Sequence, residues 1–164
     1  RTDGMSLNAR DIGPGWLETY RSSPGNYAFI GNLTFSQEIV FSNETSIVVS
    51  ELYSSNSSEA IMQLLNSQSM IHTGISNDVN IGELGHIFVL SEYTTVSYLV
   101  IIEGQGFYAN RSNIVRLEFK EGNVVSIITV SVKGASTPAQ PWIWDFALNL
   151  GEKQLQKIDR YSGY

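Results

Sequence analysis

Hydrophobic and polar residues alternate most regularly in the second half of the chain, where two consecutive segments predict a β-hairpin. From 114 to 120, apolar residues alternate with charged ones: Val115, Leu117 and Phe119 against Arg116, Glu118 and Lys120. This period of two is typical of a strand with one exposed face. Glu121-Gly122-Asn123 then predicts a turn into the almost wholly apolar segment 124–132. This segment indicates a central strand that needs both faces covered, or one face packed against a helix.

Five further segments have the β-branched and aromatic character of strands. They are separated by turn residues such as Pro24-Gly25 and Asn43-Glu44, and they span 27–33, 34–41, 46–53, 86–92 and 96–103. The segment 19–26 is predicted to be a polar connector, and Gly104-Gln105-Gly106 is predicted to be a loop between strands.

A short helix is predicted near the N-terminus. Ser6 is a suitable N-cap, Gly13 can adopt the left-handed conformation that ends a helix, and Pro14 prevents the helix from continuing. The pattern therefore predicts about one helical turn that ends just before Trp16.

Two longer helices are predicted further along the chain. Asn56, with Glu59 three residues later, has the form of a capping box at the start of a middle helix (about 56–69). A long C-terminal helix (about 138–159) carries an apolar stripe that includes Gly151. Glycine has no side chain, so we expect this helix to approach the sheet closely at that position.

The order of these elements predicts one α+β domain that spans residues 1–164. Hairpins dominate and no repeated βαβ pattern is present, which favours a mainly antiparallel sheet of about six or seven strands packed by the three helices. The chain length suits a single domain with a sizeable core, since 42% of its 164 residues are hydrophobic.

Composition narrows the range of functions. Charged residues make up 16% of the chain against roughly 25% in an average domain, and the net charge is -6 with no basic cluster. We therefore expect no nucleic-acid partner, because binding to nucleic acid depends on neutralising phosphates. The chain has no cysteine, which excludes disulfides, thiolate nucleophiles and cysteine-ligated metals.

The polar surface predicted here consists largely of hydroxyl and amide side chains, which is more common outside the cell than in the cytosol. The chain begins at Arg1 and not at Met, which predicts a preceding segment such as a signal peptide or a membrane or lipid anchor. Four Asn-x-Ser/Thr sequons add acceptor sites for N-glycosylation in predicted loops, at Asn32, Asn43, Asn56 and Asn110.

Candidate catalytic groups are few. The two histidines, His72 and His86, have no metal-ligand spacing, and no metal or cofactor is expected. Glu92 and Glu103 would lie near each other if their strands form a hairpin, although no sequence feature fixes their separation. A small enzyme with a cystatin-like or NTF2-like cavity, using Glu92, Glu103 and His86, is therefore one alternative for the function.

Aromatic residues are the better indication of a binding site. Trp142 and Trp144 are two residues apart on the C-terminal helix, so they point in nearly opposite directions. Trp144 matches the apolar stripe and Trp142 does not. Trp142 either packs at the helix start or contacts a partner, and Trp16, Tyr93 and Tyr108 are further candidate binding residues.

Four short motifs resemble, in order, those of prokaryotic secreted or lipid-anchored domains, including the extracellular sensor domains of mycobacterial serine/threonine kinases. They are Leu7 with Asp11–Trp16, then Ser55–Ala60, Ile81–Gly85 and Phe119–Val125. The resemblance implies an antiparallel sheet sandwiched by helices, like that of the photosystem II oxygen-evolving P-subunit, and no enzymatic activity. Some of these sensor domains have disulfides, which this chain lacks because it has no cysteine. The resemblance does not identify any functional residue in this chain.

The sequence therefore predicts a non-catalytic, extracytoplasmic domain of a cell-surface or lipoprotein-like protein, which binds an unknown protein or small-molecule ligand. We expect a monomer or a weak homodimer. Besides the small enzyme, a purely structural envelope module is the other alternative.

Overall fold

The computed structural model describes residues 2–22, 33–70, 74–90, 98–102, 105–109, 114–132 and 141–162. A 3-10 turn at Thr2–Met5 precedes three α-helices, which are α1 (Ala9–Ile12), α2 (Ser58–Met70) and α3 (Pro141–Ser162). The strands within the described ranges are β1 (Leu17–Arg21), β2 (Leu33–Ser42), β3 (Ser46–Ser55), β4 (Gly74–Asp78), β5 (Leu84–Leu90), β6 (Tyr98–Ile102), β7 (Gln105–Ala109), β8 (Ile114–Glu121) and β9 (Val124–Val132).

Seven of these strands form one antiparallel sheet in the order β1-β2-β3-β9-β8-β5-β4, and β6 pairs with β7 separately. The α+β class and the antiparallel sheet are thereby confirmed. The strand β9 lies at the centre of the sheet, as its apolar sequence predicts. The short strands β1 and β4 form the two edges.

The hydrophobic core lies on both faces of the sheet. Alternate residues of β9 belong to different clusters, since Val124, Ile128 and Val130 pack with α3 whereas Val125 and Ile127 pack with α2. A strand in the middle of a sheet that is covered by helices on both faces needs apolar side chains at nearly every position. This requirement explains why β9 is largely apolar, with only Ser126, Thr129 and Ser131 interrupting the run.

The close approach of α3 to the sheet depends on Gly151. A Cβ atom at this position would lie 2.3 Å from Cδ2 of Leu117 and 3.1 Å from Cδ1 of Ile81. Glycine costs about 1 kcal/mol relative to alanine inside a helix, and here it allows the helix to pack directly on β8. The expectation drawn from the apolar stripe is confirmed.

The N-terminal helical turn is present, but the prediction of its cap was wrong. Asn8 is the N-cap and forms a reciprocal capping box with Asp11. Ser6 instead donates a hydrogen bond to Oε1 of Gln37 at 2.6 Å in the core. The helix ends at Gly13, whose positive φ of 146° favours glycine, as expected.

The cap of the middle helix was also assigned to the wrong residue. The helix begins at Ser58, and Oγ of Ser57 accepts a hydrogen bond from the backbone N–H of Ala60 at 3.2 Å. Ser57 therefore occupies the N-cap, one position after Asn56. Both residues are of types that favour N-caps, so the sequence pattern alone did not separate them.

The strand β8 is buried on both faces, contrary to the half-exposed strand that its alternation predicts. Arg116 and Glu118 are 6% and 0% exposed, because they neutralise each other through an ion pair of 2.7 Å. The sequence analysis also missed β1, β4 and β7. Of the predicted strand 27–33, only Leu33 lies among the described residues.

Candidate binding surface at the start of the C-terminal helix

Three aromatic rings connect the core to the surface at the start of α3. The ring of Trp16 stacks on that of Phe146, with centroids 5.7 Å apart and planes inclined by 19°. Phe146 in turn meets Trp142 edge to face, at 5.9 Å and 68°. Trp142 lies one helical turn before Phe146, which is the spacing at which helical side chains meet. We call these three residues the aromatic ladder.

The ladder runs from a buried ring to an exposed one. Trp16 is 9% exposed and belongs to the core, Phe146 is half-buried, and Trp142 is 44% exposed. The stop at Gly13 and the Pro14-Gly15 turn bring Trp16 to this position from the end of α1. The residues that end α1 therefore also place Trp16, which is the innermost ring of the aromatic ladder.

Polar contacts hold the N-terminal segment against α3 behind the ladder. Nζ of Lys157 lies 2.8 Å from Oδ2 of Asp11, and Lys153 donates to the backbone carbonyl of Asp11 at 2.7 Å. Gln154, which is fully buried, donates to the carbonyl of Met5. These groups link positions more than 140 residues apart in sequence. These contacts hold the segment that precedes Trp16 against α3.

The opposite face of the sheet carries a transverse row of ionisable residues. In the strand register His86 is opposite Glu118, and Glu51 is opposite Glu38, with Ile127 between the two pairs. Nδ1 of His86 lies 2.9 Å from Oδ1 of the exposed Asp78. This row runs across most of the sheet, and its members lie on the side where α2 packs.

Within this row, Glu38 has an unfavourable electrostatic environment. Burial and the charge of Glu51 raise the pKa of Glu38 above its ordinary value of 4.5. Glu51 is bound by the phenol of Tyr53, whose Oη lies 2.5 Å from Oε2 of Glu51, and Tyr53 also packs against the apolar residues under α2. Like charges placed directly opposite each other on neighbouring strands destabilise a sheet.

The structure brings together two of the four predicted binding residues, Trp16 and Trp142, through Phe146. Tyr108 belongs to β7, where it is paired with Leu99, and its side chain lies outside the described part of the structure. Tyr93 also lies outside the described residues, as do Glu92 and Glu103 of the alternative catalytic set. Among the described residues, the ionisable side chain that contacts His86 is that of Asp78.

Two of the four sequon asparagines are described, and they differ in their surroundings. Oδ1 of Asn43 accepts hydrogen bonds from the backbone N–H groups of Thr45 and Ser46, at 3.0 and 2.7 Å. Asn56 is exposed in the link between β3 and α2. Asn32 and Asn110 lie outside the described residues.

The sequence analysis missed two features of these sites. Phe146 joins the two tryptophans, and its spacing of four from Trp142 is the signal that would have revealed it. The ion pair of Arg116 and Glu118 was indicated by opposite charges two residues apart on one strand, which place both side chains on the same face.

Neither metal binding nor membrane crossing is indicated in the described residues. Within these ranges no three histidine, aspartate or glutamate side chains are grouped so as to hold a metal ion. Among the described helices, none combines the length and the apolar character that crossing a membrane requires.

Comparison with known proteins identifies a similar fold. No protein-family model and no curated protein matches the chain. A solved structure, the extracellular domain of PknH from Mycobacterium tuberculosis, is similar with a TM-score of 0.52 at 9% sequence identity, and the alignment covers 94% of each chain. At this identity the likeness concerns the fold alone. The chain therefore shares its architecture with the class of domain that the sequence motifs resemble.

Proposed function

We propose that this chain is a non-catalytic, extracytoplasmic domain that binds a partner protein or a small ligand through the surface around Trp142. The aromatic ladder is the observation that carries the proposal, because two inner rings and an ordered segment support an indole that remains exposed. Tryptophan residues on a rigid support are typical of the residues that dominate binding energy at interfaces.

The location outside the cytoplasm is supported by independent features. The solved structure with a similar fold is an extracellular domain. The chain also has few charged residues and four sequons. A preceding signal peptide, membrane anchor or lipid anchor would deliver the domain there, as a monomer or a weak homodimer.

Of the three residues in the alternative enzyme hypothesis, only His86 lies among the described residues. The side chain that it contacts belongs to Asp78, which is almost fully exposed. Exposed contacts of this kind are common on protein surfaces and contribute little energy, so they are no particular support for that alternative. The purely structural alternative does not explain why an indole is exposed at the end of the ladder.

Thermal unfolding of Trp142→Ala tests whether the indole serves the fold or a partner. The variant loses one edge-to-face contact, so we expect its melting temperature to fall by no more than about 4 °C. Leu84→Ala, which truncates another exposed apolar residue, is the matched control. A fall of about 10 °C for Trp142→Ala alone would assign the indole to the fold and contradict the proposal.

Reporter fusions to the native gene test the location. Alkaline phosphatase fused after Tyr164 gains activity only when it is exported, whereas β-galactosidase at the same point is active only in the cytoplasm. We expect activity from the phosphatase fusion alone. Activity from the β-galactosidase fusion alone would contradict the extracytoplasmic location.

A further inference from the structure

Asn56 belongs to an acceptor sequon, and its side chain does not cap the helix that follows. The tripeptide Asn56-Ser57-Ser58 is an acceptor sequon, but an asparagine at this point also has a simpler explanation as the cap of α2. The structure removes that explanation, because the hydroxyl of Ser57 caps the helix by accepting from Ala60. The side chain of Asn56 is exposed in the link between Ser55 and Ser58, where α2 begins.

The sequon at Asn43 provides a contrast within the same protein. Oδ1 of Asn43 accepts from two backbone N–H groups and from the hydroxyl of Thr45, at 2.7 to 3.3 Å. This arrangement closes the turn between β2 and β3, and it is a frequent structural use of asparagine. Asn43 is also only partly exposed. Its amide is therefore engaged by the turn, whereas that of Asn56 is not engaged by the helix.

Among the described residues, the surroundings of Asn56 are open. Leu33, Thr34, Asn56 and Ser57 are the described residues that line an open pocket of about 500 Å³. Of these, Thr34 and Asn56 are exposed and Leu33 is buried. Asn56 therefore lies at an open part of the surface that the described residues form.

We propose that Asn56 is an acceptor for N-linked glycosylation on the folded domain. The sugar donor is an oligosaccharide carried on a polyprenyl diphosphate lipid. Nδ2 of Asn56 forms a bond to the anomeric carbon, the bond from that carbon to the diphosphate oxygen breaks, and the lipid diphosphate leaves with the electron pair. The amide proton passes to a base of the transferase. The proposal rests on the extracytoplasmic location, where such glycans are added.

The test is glycosylation of the purified, folded chain in vitro. An oligosaccharyltransferase that accepts a bare Asn-x-Ser/Thr sequon is first shown to modify synthetic peptides that span 38–48 and 51–62. It is then given the folded chain and a lipid-linked oligosaccharide, and occupancy of each site is measured by peptide mass spectrometry. We expect modification of Asn56 at least several-fold above that of Asn43.

Matched variants identify the reacting site. Ser58→Ala removes the sequon without changing Asn56, and it should abolish modification there, whereas Ser58→Thr should retain it. A folded chain that stays unmodified at Asn56, or that is modified equally at Asn43, overturns the proposal. These results do not depend on the reporter fusions, which test the location separately, so the two failures are distinguishable.

Discussion

The indole of Trp16 lies nearly parallel to the ring of Phe146, with 5.7 Å between their centroids. This contact joins the segment that ends α1 to the first two turns of the C-terminal helix, across 130 positions of sequence. Phe146 is thereby fixed on one side and contacts Trp142 on the other. The ring that Trp142 contacts is therefore held in place by packing between the two ends of the chain.

Truncation of the inner ring should destabilise the domain strongly. Trp16→Ala removes a buried indole and should lower the free energy of unfolding by about 3–5 kcal/mol, as measured by urea denaturation. Trp16→Phe keeps an aromatic ring in contact with Phe146 and should lose less than half as much. Equal losses for both variants would mean that stacking on Phe146 contributes nothing beyond the volume of the side chain.

A methyl group at position 151 should destabilise the domain although alanine favours helices. In Gly151→Ala the new Cβ collides with Leu117, and repacking of this kind costs about 1–3 kcal/mol. Asn149→Ala is the matched control, because Asn149 is exposed on the same helix. Alanine has the higher helix propensity, so this variant should be slightly more stable than the unsubstituted chain. Stabilisation by both substitutions would show that the close approach of α3 to the sheet is not required.

The carboxylate of Glu38 should reduce stability at neutral pH. Its pKa in the folded chain is raised by burial and by the charge of Glu51, so folding disfavours its ionised form. Glu38→Gln should therefore be more stable than the unsubstituted chain at pH 7. The difference should shrink as the pH falls through the raised pKa towards the ordinary value of 4.5, in urea denaturation repeated at several pH values.

Glu83 is a control for the pH experiment, because its pKa is shifted in the direction opposite to that of Glu38. A hydrogen bond from Lys120 and another from the backbone N–H of Gly122 lower the pKa of Glu83. The stability that it contributes is present above pH 4.5 and is lost as the pH falls through its lowered pKa. Glu83→Gln should thus be less stable than the unsubstituted chain at pH 7. The same sign of effect for Glu38→Gln and Glu83→Gln would contradict these assignments.

The buried ion pair in β8 should be sensitive to removal of its acidic member. Glu118→Ala leaves the guanidinium of Arg116 without the carboxylate that lies 2.7 Å away, and breaking a buried pair costs about 3–5 kcal/mol. Glu121→Ala, at the partly exposed end of the same strand, should change the free energy of unfolding by less than about 1 kcal/mol. Comparable effects of the two substitutions would indicate that the pair is not needed in the core.

Much of the fold follows from local sequence signals. The hairpin of β8 and β9, the central position of β9 and the role of Gly151 were all predicted from periodicity and turn residues. The short edge strands β1 and β4 were not, because a strand of five residues at an edge is specified by its pairing partner more than by its own residues. The burial of Arg116 and Glu118 was also not predicted, because the alternation of apolar and charged residues within β8 does not show whether another element covers its polar face.

The candidate site was predictable only in part, for a related reason. The positions of Trp142 and Trp144 on a helix indicated that one of them lies outside the apolar stripe. The contact of Trp16 with Phe146 depends on packing between distant segments, which no local pattern reports. The choice between Asn56 and Ser57 as the cap of α2 likewise required the position of the backbone N–H of Ala60.

Photo-cross-linking beside Trp142 is the most direct test of the proposed binding surface, because it leaves the indole in place. A benzoylphenylalanine replaces Asp145, which is exposed on α3 three residues after Trp142, in the native protein in its own cells. Leu84, which is 42% exposed at the start of β5, is replaced in a parallel strain. Irradiation should give a discrete adduct, resolved by mass spectrometry, from position 145 and not from position 84. The absence of any adduct at 145, or the same adducts from both positions, would contradict a binding role for the surface around Trp142.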